Sequence, residues 1–200
     1  MNDEELKAYL DDKLYSRQAY NEMYPKASSL NVFSVSTLAY SVDELVDKKL
    51  GRAKPFEYTF PILVGLRVGE GLQIATEDDG WIAEQEIELS FPFKWSTPKL
   101  DGFVLLGHAD LFHPASKVLI ENKTSIKDNN IHNYMTRQAS VYAVALGCQL
   151  RTYVYKINHE TNLYHIPSID VEVLYKDMID RAYKAANLID AEIKNGSVKV

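Results

Sequence analysis

Apolar residues recur at helical spacing over residues 3–24, where Leu6, Tyr9, Leu10, Leu14, Tyr15 and Met23 fall near one stripe until Pro25 ends the run. A second helix is predicted in STLAYSVDELVDKKL, capped by Ser34 or Ser36 and stopped at Gly51. Pro61 suits a first helical turn, and Ile62, Leu66, Gly69 and Leu72 continue it as a third helix that glycines weaken. The N-terminal part, to about residue 77, therefore reads as helical.

The period then changes. WIAEQEIELSF alternates, FVLLGHADLFH is rich in β-formers, and KVLIENK is a short apolar run that ends in charge. HPAS between the last two carries the Pro and Ser of a tight turn, so these strands are expected to form an antiparallel hairpin. Met135, Ala139, Tyr142, Ala143 and Leu146 restore a helical stripe closed by Gly147, with Gln138 against it one turn before Tyr142. RTYVYKIN and NLYHIPS predict a further hairpin across His159, Glu160 and Thr161, and a long helix runs from about 171 to 195, ended by Gly196. This is an α/β order with a sheet core over about 80–160 and no repeat, low-complexity tract or linker to mark a second domain.

Length agrees with that reading: 200 residues, 46% of them hydrophobic, suffice for one sizeable core. The single cysteine, Cys148, lies in the apolar run AVALGCQL, which excludes a disulfide framework or a four-thiolate metal site within one chain and suggests a buried structural thiol. No apolar stretch has the length of a membrane span, and the acidic start MNDEELKAYLDDK is unlike a signal peptide, so a cytoplasmic protein without a membrane partner is expected. The sequence leaves homo-oligomers open.

The net charge of −6 argues mildly against a nucleic-acid partner. Its distribution reverses the argument locally, because residues 91–160 carry 8 basic and 5 acidic side chains and form the only net positive stretch. That stretch holds GHADLFHPASKVLIENKTS and IHNYMTRQASVY. Asp110 and Glu121 offer the hard oxygen ligands that Mg²⁺ or Mn²⁺ prefers, and Lys123 places a cation on the same strand face as Glu121. Neighbouring strands lie about 4.8 Å apart, so carboxylates from both can reach one ion. Gln138 and Tyr142, four apart on one helix face, can point at the same corner.

These types suit phosphodiester hydrolysis, which needs an activated water and a sink for charge on the phosphoryl oxygens. Each residue alone also has a plain reading. Asp110 or Glu121 could be a strand-end carboxylate facing water, and Gln138 or Tyr142 an ordinary helix residue. His108, on the face of Asp110, could be a ligand, a DNA contact or a structural histidine, while His113, His132 and His159 read as surface residues. Lys127 and Arg137 flank the site and could meet DNA phosphates or simply be solvated.

The ordered set resembles the PD-(D/E)XK nuclease superfamily, in particular the RecB-like exonuclease branch that includes the CRISPR-associated RecB-like nucleases. The matching pieces are GHAD ending in Asp110, IENK with Glu121 and Lys123, and QASVY from Gln138 to Tyr142. GLRVGEGLQ resembles the helix that usually reads Gly-x-x-Val-His-Glu in this branch, and SVSTL resembles its Ser-rich opening; the likeness covers about residues 34–156. It implies a restriction-endonuclease-like central mixed β-sheet flanked by helices. It also implies a Mg²⁺ or Mn²⁺ dependent deoxyribonuclease, exonuclease or endonuclease, whose metal is held by Asp110, Glu121 and the backbone carbonyl of Asn122.

Two departures qualify the match. Gly69 stands where the family often has a metal-binding His, which leaves Glu70 as the candidate third ligand, and the lone Cys148 implies that there is no iron-sulfur cluster. The alternative reading is a catalytically weak or inactive DNA-binding or CRISPR-adaptation-related protein of the same fold.

Overall fold

A computed structural model describes residues 29–53, 71, 76, 79–125, 133–156 and 161–198; for residues 124, 125, 133, 153–156 and 161–164 it describes the backbone alone. The helices predicted over 3–24 and from Pro61 to Leu72 lie outside these residues, Gly71 apart. Within them the chain runs β1 (Val32–Ser34), α1 (Val35–Tyr40), α2 (Val42–Lys49), β2 (Ile82–Phe91), β3 (Phe103–His113), β4 (Val118–Ser125), α3 (Asn133–Leu146), β5 (Gln149–Lys156), β6 (Thr161–His165) and α4 (Ser168–Lys194). Among the described residues no helix is long and apolar enough to cross a membrane.

Both predicted hairpins form. β3 and β4 pair antiparallel around the HPAS turn, and β5 and β6 pair antiparallel beyond α3. The His113 ring holds the first turn by accepting from the Ser116 backbone N–H, and its Nδ1 lies 2.7 Å from the Ser116 hydroxyl. α3 carries the chain from β4 to β5, which pair in parallel, so the sheet is mixed and helices cover it.

One helix predicted between Ser36 and Leu50 is two. The chain breaks at Ser41, whose extended backbone (φ −151°, ψ 132°) lets its hydroxyl cap α2 by accepting from the Glu44 N–H. Arg181 of α4 donates to the carbonyls of Leu38 and Ala39 at the end of α1, which satisfies groups that a continuous helix would have bonded internally. Local stripe spacing could not foresee that partner. The short strand β1, parallel to β3 over three residues, was likewise not predicted.

The core lies between the sheet and a layer in which α1, α2 and α3 pack on α4. Phe33, Phe103 and Phe91 stack from β1 through β3 to β2, with centroids 5.2 and 5.3 Å apart. From α4, Met178, Ala182, Ala185, Ala186 and Ile189 are buried, and the three alanines allow close helix packing. The feature that positions the site is a gap. β2 runs along one edge of β3 from Phe103 to Phe112, whereas the other edge is shared by β1 at 104–106 and β4 at 111–113. Residues 107–110 lie between those two pairings.

Candidate active site

Where β3 and β4 diverge, backbone groups that a ladder would have paired need other partners. Asp110 supplies one: its Oδ2 accepts from the Asn122 N–H at 2.7 Å, so the carboxylate closes the mouth of the gap. Glu121 and Lys123 follow on the β4 face that turns toward the helices, next to Thr152 and Val154 of β5. Lys123 Nζ donates to Glu121 Oε1 at 2.6 Å and to Gln138 Oε1 at 3.4 Å, and Gln138 Nε2 donates to the Tyr142 hydroxyl at 3.4 Å. The Tyr142 oxygen also hydrogen-bonds the backbone of His108 on β3, between the stretches that pair with β1 and β4. β3, β4 and α3 are thus tied into one polar chain.

Gly107 makes that approach possible. A Cβ there would lie 2.7 Å from Tyr142 Cε1 and 2.9 Å from its Cζ, closer than carbon atoms pack. A glycine in a run of β-formers is therefore the signature of the tyrosine it accommodates.

The electrostatics are strained in one direction. Glu121 is fully buried, and desolvation, reinforced by Asp110, pushes its carboxyl up to about 8 against the opposing pull of Lys123. Burial likewise raises the Asp110 carboxyl, opposed by Lys123 and the Asn122 N–H. Burial would discharge Lys123, but Glu121 and Asp110 outweigh it and hold the ammonium protonated. Tyr142 is kept a neutral phenol well above its ordinary range by burial and by Glu121. Among the described residues, two carboxylates share one ammonium.

Among the described residues Glu121 Oε2 is buried without a hydrogen bond, although its other oxygen is bonded to Lys123. A buried unpaired carboxylate oxygen is costly to keep, and a hard divalent cation would satisfy it. The donor set fits such an ion: Glu121 Oε2, the Asp110 carboxylate and the Asn122 carbonyl are all oxygens from adjoining strands. Among the described residues no third His, Cys, Asp or Glu joins the pair.

Other expected residues fall elsewhere. His108 Nε2 lies 3.7 Å from Glu86 Oε2 across the β2–β3 ladder. Arg137 pairs with Asp177 of α4 at 2.5 Å, which bolts α3 to α4. Glu70, Lys127, His132 and His159 lie outside the described residues. Cys148 is half-buried, burial pushes its thiol up to about 11, and its Sγ donates to the Ala143 carbonyl at 3.7 Å, in line with a structural thiol.

Glu84 was missed. It lies between Ala83 and Gln85, which pair with Leu111 and Ala109 on either side of Asp110, in a left-handed conformation (φ 51°), and its charge raises both Asp110 and Glu121. The alternation of WIAEQEIELSF puts Glu84, Glu86 and Glu88 on one face, a signal that reads as an ordinary solvated edge.

No protein-family model and no curated protein matches the sequence. Solved structures do match the fold. SSO0001 superposes with a TM-score of 0.60 at 15% identity, over 85% of this chain and 85% of that one. A presumed exonuclease from Eubacterium rectale gives 0.52 at 13% identity, over 88% and 86%. LHK-Exo in complex with dAMP gives 0.53 at 12% identity, over 89% and 100%. The central mixed sheet with flanking helices is therefore an architecture that this chain shares with exonuclease structures.

Proposed function

We propose that this protein is a Mg²⁺ or Mn²⁺ dependent DNA nuclease of the RecB-like branch of the PD-(D/E)XK superfamily. The observation that carries the reading is the buried Glu121 Oε2, without a hydrogen-bond partner among the described residues, set beside Asp110 and Lys123 where two strands part. When bound, a divalent ion supplies an activated water and a sink for phosphoryl charge. Asp110, Glu121 and the Asn122 carbonyl hold the ion. Lys123 keeps its ammonium between the carboxylates and the substrate phosphate, where it orients the attacking water and offsets charge that builds on the phosphoryl oxygens. Gln138 fixes the Lys123 side chain, and the neutral Tyr142 hydroxyl fixes Gln138.

DNA as substrate is supported by this chemistry, by the net positive stretch around the site, and by a fold shared with LHK-Exo, which is seen with dAMP. Action on ends or single strands is preferred to endonucleolytic action because the structural neighbours include exonucleases. A second reading, DNA binding with weak or no cutting, draws on the presence of only two acidic ligands among the described residues.

The test is direct. End-labelled single- and double-stranded DNA, linear and circular, is incubated with Mn²⁺ or Mg²⁺ and either wild type or Lys123→Ala. Loss of linear DNA with circles spared is expected of the wild type, and loss of activity is expected of the variant. Wild type that binds DNA without cutting it would establish the second reading, and equal cutting by the variant would dismiss the site.

A further inference from the structure

The helix face that carries Gln138 and Tyr142 continues one turn outward to Tyr134. Tyr134 is 36% exposed and its ring meets Tyr40 of α1 edge to face, with centroids 5.8 Å apart and planes at 84°. Tyr40 is 64% exposed, the highest value after Ile169 among the large exposed hydrophobic side chains described. Two adjoining tyrosines are thus presented to solvent next to a buried polar corner. Adjoining exposed aromatic rings, unlike a lone exposed side chain, point to an interaction site.

Both rings are held in place. The Tyr40 backbone ends α1, and Arg181 grips the two preceding carbonyls, so the ring projects from an anchored turn. Tyr134 lies one turn from Gln138, which touches Lys123, and it is within electrostatic range of the Lys123 ammonium. The platform is therefore at the mouth of the site. Its chemistry is a flat π surface without net charge, which recognises another flat π surface and is indifferent to its hydrogen-bonding edge.

Resting on the nuclease reading, we propose that Tyr134, braced by Tyr40, is a stacking platform that receives an unpaired base of the DNA strand whose phosphate lies at the Asp110–Glu121–Lys123 corner. In a duplex both faces of each base are already stacked, so only a frayed or single-stranded nucleotide can use the platform. Tyr134 is then a specificity residue that favours single-stranded substrate over duplex.

The experiment uses the full chain carrying Lys123→Ala with Mn²⁺, so that DNA is bound and not consumed. Fluorescence anisotropy compares a single-stranded oligonucleotide with an abasic one of the same length and charge. The base-bearing strand is expected to bind about tenfold more tightly, the scale of one stacked base. Tyr134→Ala abolishes that difference, Tyr134→Phe keeps it, and Tyr40→Ala narrows it. A difference that survives Tyr134→Ala, or a Tyr134→Ala variant that weakens both strands equally, overturns the platform. In the cleavage-competent protein, Tyr134→Ala lowers kcat/KM for single strands far more than for duplex of the same sequence. An equal drop on both overturns the proposal. Failure of the nuclease reading looks different: the wild type cuts no DNA at all.

Discussion

Two buried carboxylates, Glu121 and Asp190, sit at opposite extremes of satisfaction. Asp190 of α4 is 4% exposed and fully provided for: Oδ1 accepts from the Ser96 N–H and hydroxyl at 2.7 Å each, and Oδ2 pairs with Lys194 at 2.8 Å. Burial alone would raise its carboxyl, but the bonds from Lys194 and Ser96 together hold it below its ordinary value. Glu121 is buried as deeply, keeps one partner for two oxygens among the described residues, and is pushed up to about 8. The first carboxylate ties the 92–102 loop to α4. The second is left short of positive charge, a condition that stability alone would not maintain.

The largest effect expected of that contrast is on catalysis. Lys123→Ala and Glu121→Gln should each lower DNA cleavage by at least about a hundredfold, the scale of losing one preorganised charge partner. Asp190→Asn should leave cleavage per folded molecule within about twofold, measured against the folded fraction by circular dichroism. Similar losses from all three variants would erase the distinction.

Stability should show the reverse order. Asp190→Ala leaves the Ser96 N–H and hydroxyl without their acceptor and should destabilise the protein by about 1–3 kcal/mol in urea unfolding. Glu121→Gln in metal-free protein should be neutral or stabilising near pH 8, because it removes a charge that burial disfavours. Gly107→Ala should cost about 1–3 kcal/mol by driving a methyl into the Tyr142 ring, and it should lower activity as well, since that ring supports Gln138.

The smallest effect is a pair of opposite pH slopes. Native Glu121 keeps its proton up to about pH 8, whereas the unfolded chain loses it near the ordinary carboxylate value, so metal-free stability falls as pH rises through that window. Native Asp190 ionises below the ordinary value, so its contribution is present above that value and is lost as pH falls through the lowered one. Thermal midpoints across pH should show Glu121→Gln flattening the upper slope and Asp190→Asn the lower one.

The sequence makes one of these carboxylates visible and hides the other. Glu121 can be read because its partners are local in pattern: Lys123 is two residues on, Asp110 lies near the end of the preceding strand, and Gln138 and Tyr142 share a helix face. Strand alternation and the HPAS turn bring the first three together without any long-range knowledge. Asp190 depends on Ser96, 94 residues away, and within its own helix it looks like any solvated acid. The break at Ser41, the parallel pairing of Val32–Ser34 and the closeness of Glu84 to Asp110 were hidden for the same reason, since each depends on an element remote in sequence. Gly107 was legible as a glycine in a strand, but its tyrosine partner on α3 was not.

The claim on which the rest depends is that the unpartnered oxygen of Glu121 is a divalent-ion ligand shared with Asp110. Calorimetric titration of Mn²⁺ into wild type, Glu121→Gln, Asp110→Asn and Asp190→Asn near pH 8 measures it. The account predicts saturable binding by wild type and Asp190→Asn, and its loss in Glu121→Gln and Asp110→Asn. Mn²⁺ binding by folded Glu121→Gln with undiminished affinity would contradict it.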